Sequence, residues 1–111
     1  MPTTLPLDAN GHPIPAIRLK DGGAHTINAT ATTGRNSTAF DSATEIVSLY
    51  ATGAVYVNFG NSSVTATTSD HYFPSGVYYD FAIGGDETKQ ATHVAVLRVD
   101  TDCAVYVSEK E

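Results

Sequence analysis

Four histidines, His12, His25, His71 and His93, and one cysteine, Cys103, are the side chains best suited to ligate a metal or to act as nucleophiles. Metal sites draw on dense, regularly spaced ligands such as His-x-His or an i, i+4 pair. None of these five residues has such a neighbour, so no metal and no cofactor is expected. Asp70-His71 is the one adjacent acid and imidazole, with Tyr72 and Asp80 nearby in sequence. General acid/base work there would need a buried group with a shifted pKa and a nucleophile or water within hydrogen-bond reach. Gly-x-Ser-x-Gly, His-Glu-x-x-His and glycine-rich phosphate loops are absent. Ser69-Asp70 has the character of a turn, so the segment reads as a loop, with no catalytic residues and no enzyme expected. Cys103 stands among valines and reads as a small apolar side chain. Asp100-Thr-Asp102 lacks the glycine and distal glutamate of a calcium loop and reads as a turn. Asn28-Ala-Thr30, Asn36-Ser-Thr38 and Asn61-Ser-Ser63 fit the glycosylation acceptor pattern, as chance matches do in a chain rich in Thr and Ser.

The aromatic residues are a different matter. Tyr72-Phe-Pro-Ser-Gly-Val-Tyr-Tyr-Asp-Phe81 holds half of the aromatic side chains of the sequence. On a strand, Val77, Tyr79 and Phe81 would face one way and Tyr78 and Asp80 the other, so some ring surface must be exposed. Exposed tyrosines mark interfaces, because a rigid ring brings contact area at little entropic cost. Tyr72, Phe73, Tyr78 and Tyr79 are therefore candidate interface residues. A sugar-binding platform centred on Tyr78 is the competing reading, although the chain has no tryptophan.

The elements that must position these groups follow from composition. At 111 residues the chain has room for one domain. Thr, Ala, Val and Gly dominate, while the usual helix formers are sparse. The net charge of −6 and the scattered basic residues (Arg18, Lys20, Arg35, Lys89, Arg98, Lys110) leave no basic stripe, so direct nucleic-acid binding is not expected. No apolar run approaches the ~20 residues of a membrane-spanning helix, and the N-terminus has no signal-peptide pattern. A soluble protein that stays where it is made is expected, with no membrane contact.

Residues 1–23 hold four of the five prolines and the turn signals Asn10-Gly11 and Asp21-Gly22-Gly23. Proline removes ladder donors and fixes an extended φ, so this stretch reads as an extended Pro-rich N-terminal arm. Its apolar residues Leu5, Leu7, Ile14 and Ile17 are candidate interface anchors. Residues 24–111 read as the β-sandwich domain, with strands near 25–33, 37–40, 45–51, 54–59, 63–67, 76–83, 92–99 and 103–108. Val47, Leu49 and Ala51 share one face, as do Val55, Val57 and Phe59, and Cys103, Val105 and Val107. Each valine face is assigned inward, opposite a tyrosine-bearing face. Val94 to Val99 is apolar on both faces, which suits a central strand covered on both sides. Ala54-Val-Tyr-Val57 recurs as Ala104-Val-Tyr-Val107, each copy following a strand and a tight connection. Two similar hairpins in facing sheets would explain the echo. The fold class expected is all-β, an antiparallel jelly-roll-like sandwich.

Gly53-Ala-Val-Tyr-Val-Asn-Phe-Gly60, Val64-Thr-Ala-Thr-Thr-Ser-Asp70, Tyr72-Phe-Pro-Ser-Gly76 and the closing Ala104-Val-Tyr-Val-Ser-Glu109 resemble the small structural proteins of tailed bacteriophage heads, the capsid decoration, cement or staple proteins. The resemblance covers roughly residues 45–109. Phe73 departs from it where leucine is more usual, and the arm matches no pattern of the family. It implies a protein of the virion, made in the bacterial host cytoplasm, that binds the outer capsid surface and ties major capsid protein subunits together. It further implies self-association as a dimer or trimer at a capsid symmetry axis. A spike-base or head-fibre attachment protein and a carbohydrate-binding module are the alternatives.

Overall fold

The computed structural model describes residues 7, 9–12, 18–84 and 90–110. Short segments of alternating polarity become eight strands: β1 (Leu19–Ala29), β2 (Gly34–Arg35), β3 (Ile46–Ala51), β4 (Val55–Gly60), β5 (His71–Phe73), β6 (Tyr78–Ala82), β7 (His93–Arg98) and β8 (Cys103–Lys110). The described residues include no helix, and so none long and apolar enough to cross a membrane. The strands form two four-stranded antiparallel sheets, β1-β8-β3-β6 (sheet 1) and β2-β7-β4-β5 (sheet 2). Of the consecutive pairs, only β4 and β5 lie in the same sheet, so the chain otherwise crosses from one layer to the other at every connection.

The valine faces meet between the layers, as the alternation requires. Val47 and Leu49 of β3, Val55 and Val57 of β4, Val94 and Val96 of β7, and Val105 and Val107 of β8 are fully buried. Each such side chain stabilises the fold by roughly 1.5–3 kcal/mol relative to an exposed one. Along one open side of the sandwich, Phe59 and Phe73 of sheet 2 meet Tyr79 and Phe81 of sheet 1. The Phe73 and Tyr79 ring centroids lie 4.8 Å apart and those of Phe59 and Phe81 5.5 Å apart.

The echoed segments are β4 and β8, central strands of opposite sheets, as their shared pattern suggests. They are not second arms of hairpins, however: β3 pairs with β6 and β8, and β4 with β5 and β7. At the crossover before β4, Thr52 replaces a ladder residue by exchanging bonds with Ala104; its N–H donates to the Ala104 carbonyl (2.9 Å) and its hydroxyl accepts from the Ala104 N–H (3.0 Å). Gly53 then passes so close to Cys103 that an added Cβ would lie 2.9 Å from the cysteine Cβ, so the crossover requires glycine.

Three expected boundaries differ. Residues 37–40 form no strand, because the buried Asn36 substitutes for a ladder there: its Nδ2 donates to the Thr38 carbonyl (2.7 Å) and its Oδ1 accepts from Val94 N–H (2.8 Å). Residues 63–67 also form no strand, and the edge position beside β4 goes instead to His71–Phe73. Finally, β1 begins at Leu19, within the stretch read as an arm. The Asp21-Gly22-Gly23 turn signal is absorbed by a register shift between Leu19 and Ala24, with Gly22 at φ 72°.

Candidate functional site

The outer face of sheet 1 is read directly from strand register. Tyr106 of β8 stands opposite Tyr50 of β3, and Tyr50 opposite Tyr78 of β6, giving an aromatic row across three adjacent strands. Tyr78 is 67% exposed and Tyr106 47%, with Tyr50 half-buried between them; the Tyr50 and Tyr78 rings lie 5.5 Å apart, tilted by 42°. The next row is Ser108, Ser48 and Asp80. Lys110, whose own partner on β3 is Ile46, reaches across that strand to the Asp80 carboxylate, 2.7 Å away. Ser48, between Ser108 and Asp80 in that row, is only 1% exposed although it faces outward.

The outer face of sheet 2 is covered around Ala95, while Tyr72, at its β5 edge, stays exposed. Residues 61–70 run over it as a strap, and Val64 and Ala66 press onto Ala95, the outward residue of β7. This is the second cover that the two-sided apolar pattern of β7 calls for. The strap is held by backbone groups outside any ladder. Arg35 Nη1 donates to the Val64 carbonyl (2.8 Å), Asn58 Nδ2 to the Thr65 carbonyl (3.1 Å), and Ala66 N–H to the Thr33 hydroxyl (2.8 Å). Gly60 lets the strap fold back, since a Cβ there would lie 2.9 Å from a Val64 methyl. Asp70 closes the strap by accepting from the Thr67 N–H (2.7 Å), which is turn chemistry, as Ser69-Asp70 suggests. Beyond the strap, Tyr56 and Tyr72 make an edge-on pair 6.0 Å apart.

A buried polar network closes one end of the sandwich. The Glu109 carboxylate accepts from His25 Nε2 (2.8 Å), the Thr44 hydroxyl (2.6 Å) and the Asp41 backbone N–H (2.8 Å). Burial acts to raise the Glu109 pKa, but these bonds from Thr44, His25 and Asp41 outweigh it and hold the carboxyl below its ordinary value. The His25 ring packs edge-on against Phe40, 5.1 Å away. Burial, reinforced by the Asp102 charge, raises the Cys103 thiol, which suits a packing role.

The residues singled out in the sequence are dispersed. Leu7 is exposed; Leu5, Ile14 and Ile17 lie outside the described residues. The four aromatic candidates do not form one surface. Tyr78 belongs to the outer face of sheet 1 and Tyr72 to that of sheet 2, while Phe73 and Tyr79 are half-buried against each other between the sheets. Asp70 and His71 lie at the strap and β5, in a different layer from Asp80. Sequence reading missed Tyr50 and Tyr106 as partners of Tyr78. Both lie on tyrosine-bearing faces that the alternation identifies, but only the β8-β3-β6 order brings them together. Among the described residues, no group of three or more His, Cys, Asp or Glu side chains could hold a metal ion. Recesses among the described residues include a cavity of about 380 Å³ between Phe59, Gly60, Ala82 and Ile83, and a polar one of about 360 Å³ around Arg35, Ser37, Ser62 and His93. No family model, curated protein or solved structure matches the chain.

Proposed function

We propose that this chain is a virion structural protein that decorates and staples the outer surface of a tailed-phage capsid by bridging major capsid protein subunits. The observation that carries the reading is the nested pairing of strands, β1 with β8, β2 with β7, β3 with β6 and β4 with β5. A long antiparallel ribbon that wraps round itself has this pairing, and its two flanks become the two sheets of a jelly roll. Eight-stranded jelly rolls recur in viral capsid and lectin domains. Because a fold does not choose a function, the choice between them rests on the likeness of residues 45–109 to phage head proteins. The buried polar groups fit a structural role: Asn36, Thr44 and Glu109 hold loops against strands.

In this reading residues 1–18, which hold four prolines and precede β1, are the arm. Leu5, Leu7, Ile14 and Ile17 anchor it along an edge of the neighbouring subunit. Copies associate as dimers or trimers at a symmetry axis, and many modest contacts add up to a strong hold on the shell. The test is the copy number of the chain relative to the major capsid protein in purified particles, by quantitative mass spectrometry. A number comparable to the capsid protein supports a staple. A few copies per particle moves the assignment to a spike base or head-fibre attachment protein, and absence from particles overturns it. Deleting residues 1–18 is expected to leave the sandwich folded, because β1 starts at Leu19, and to abolish attachment.

A further inference from the structure

We propose that the outer face of sheet 1 binds a neutral glycan chain along the row Tyr106–Tyr50–Tyr78. The inference does not rest on the capsid reading; it rests on the chemistry of this one face. A pyranose ring presents a face of C–H groups and a rim of hydroxyls, so its binding site needs aromatic planes beside polar groups. The row supplies the planes. Its strands are spaced about 4.8 Å apart, a repeat comparable to one sugar unit, and the Tyr50 and Tyr78 ring centroids lie 5.5 Å apart.

The adjoining row supplies the polar groups. Ser108 follows Tyr106 on the same face of β8, and Asp80 follows Tyr78 on the same face of β6. Lys110 engages Oδ1 of Asp80, and among the described residues Oδ2 has no donor, so it can accept from a sugar hydroxyl. Thr26 and Asn28 of β1 are exposed on the same face, beside Tyr106 and Ala104. The Tyr50 and Tyr78 rings are tilted by 42° to one another and so form no single flat plane, which fits a single soluble chain better than the flat surface of a crystalline polysaccharide.

Charge and area narrow the occupant. The chain carries a net charge of −6, and the charges at the row, Asp80 and Lys110, neutralise one another. A polyanionic glycan would be repelled by the protein as a whole, and among the described residues the cation at the row, Lys110, is already paired with Asp80. A second copy of the chain is the other occupant to consider. Aromatic side chains offer about 200 Å² each, so the exposed parts of Tyr78 and Tyr106 come to roughly 230 Å², and most of the about 800 Å² per partner that a stable interface buries would have to come from the polar side chains around them. Around the rings the face is Ala104, Thr26, Asn28 and Ser108; its aliphatic side chains, Leu19 and Ile46, lie at the far end beside Lys110, away from the rings.

The full chain should be titrated with cellohexaose, chitohexaose, xylohexaose and mannohexaose by calorimetry. Tyrosine fluorescence serves as a second signal, which the absence of tryptophan makes direct. Saturable binding of at least one hexasaccharide is expected. Tyr78→Ala and Tyr106→Ala should each weaken it by about tenfold, while Tyr78→Phe, which keeps the ring, should stay within about threefold. Tyr72→Ala, on the opposite layer, should leave it unchanged. Circular dichroism would confirm that each variant folds. The proposal is overturned if none of the four binds, if Tyr72→Ala is as damaging as Tyr78→Ala, or if sedimentation shows a dimer that Tyr78→Ala dissociates.

Discussion

The two outer faces of this sandwich solve the same problem in opposite ways. Each sheet has an inner face buried in the valine core and an outer face that must meet something else. Sheet 2 covers its own: Ala95 is fully buried under Val64 and Ala66, and the strap is fixed by Arg35, Asn58 and Thr33. Among the described residues, none forms such a strap over sheet 1. Where sheet 2 carries alanine under a cover at its centre and leaves a ring exposed only at its β5 edge, Tyr72, sheet 1 carries the half-buried Tyr50 between the exposed Tyr106 and Tyr78. A small side chain at the centre of an outer face leaves room for the protein's own loop; a large amphipathic ring tolerates water and offers contact area to a partner. The contrast separates a face committed to stability from a face available for recognition.

Four changes would break or sharpen this contrast. The largest effect is expected from a charge placed under the strap. Ala95→Glu should cost about 3–5 kcal/mol by burying an unpaired carboxylate, whereas Thr26→Glu, exposed on the outer face of sheet 1, should stay within about 0.5 kcal/mol. Urea denaturation of the pair measures the difference, and equal costs would mean that the strap does not seal its sheet.

Next comes Glu109, which belongs to the inner layer and should leave both outer faces alike. Glu109→Ala strands the Asp41 N–H and the Thr44 hydroxyl and should cost about 2–3 kcal/mol. Because the folded carboxyl titrates below its ordinary value, its contribution is complete above the unfolded pKa of about 4.3 and fades as pH falls through the folded value. Thermal melts should therefore show the parent losing more stability than Glu109→Gln between neutral pH and pH values below about 4.

A smaller effect, about 1–2 kcal/mol, is expected for Val64→Ala, which thins the strap over Ala95. The smallest belongs to Tyr78→Ala. It should change stability by about 0.5 kcal/mol or less, because the ring is largely exposed, while having the large effect on glycan binding described above. A stability cost for Tyr78→Ala that matched that of Val64→Ala would erase the distinction between the faces.

Much of the fold was legible because alternation is a local property. Val47, Leu49, Val55, Val57, Val105 and Val107 were assigned inward from period two alone, and all are buried. The apolar character of both faces of β7 likewise announced a second cover. What alternation does not reveal is what satisfies it. Val64 and Ala66 have the pattern of a strand, yet their apolar face packs on the outside of sheet 2 and their backbone bonds to side chains, so no strand forms. The candidate site was less legible for a related reason. Tyr50, Tyr78 and Tyr106 are far apart in sequence, and they meet only because β8 and β6 flank β3. Proximity in sequence misled in the opposite sense: Tyr72 and Tyr78, six residues apart, end on different layers because the chain changes sheets between β5 and β6. His25 and Glu109, 84 residues apart, likewise become partners only through the β1–β8 pairing.

The central claim is that the Tyr106–Tyr50–Tyr78 row of sheet 1 is the working face, and that Tyr72, exposed at the edge of the partly covered sheet 2, takes no part in it. The most direct test is a tetranitromethane footprint of the full chain, read by mass spectrometry, alone and with each of the four hexasaccharides. In the free chain Tyr78, Tyr106 and Tyr72 should be nitrated and Tyr79 spared; a bound hexasaccharide should shield Tyr78 and Tyr106 and leave Tyr72 reactive. Shielding of Tyr72 in preference to Tyr78, or no shielding by any of the four, would contradict the account.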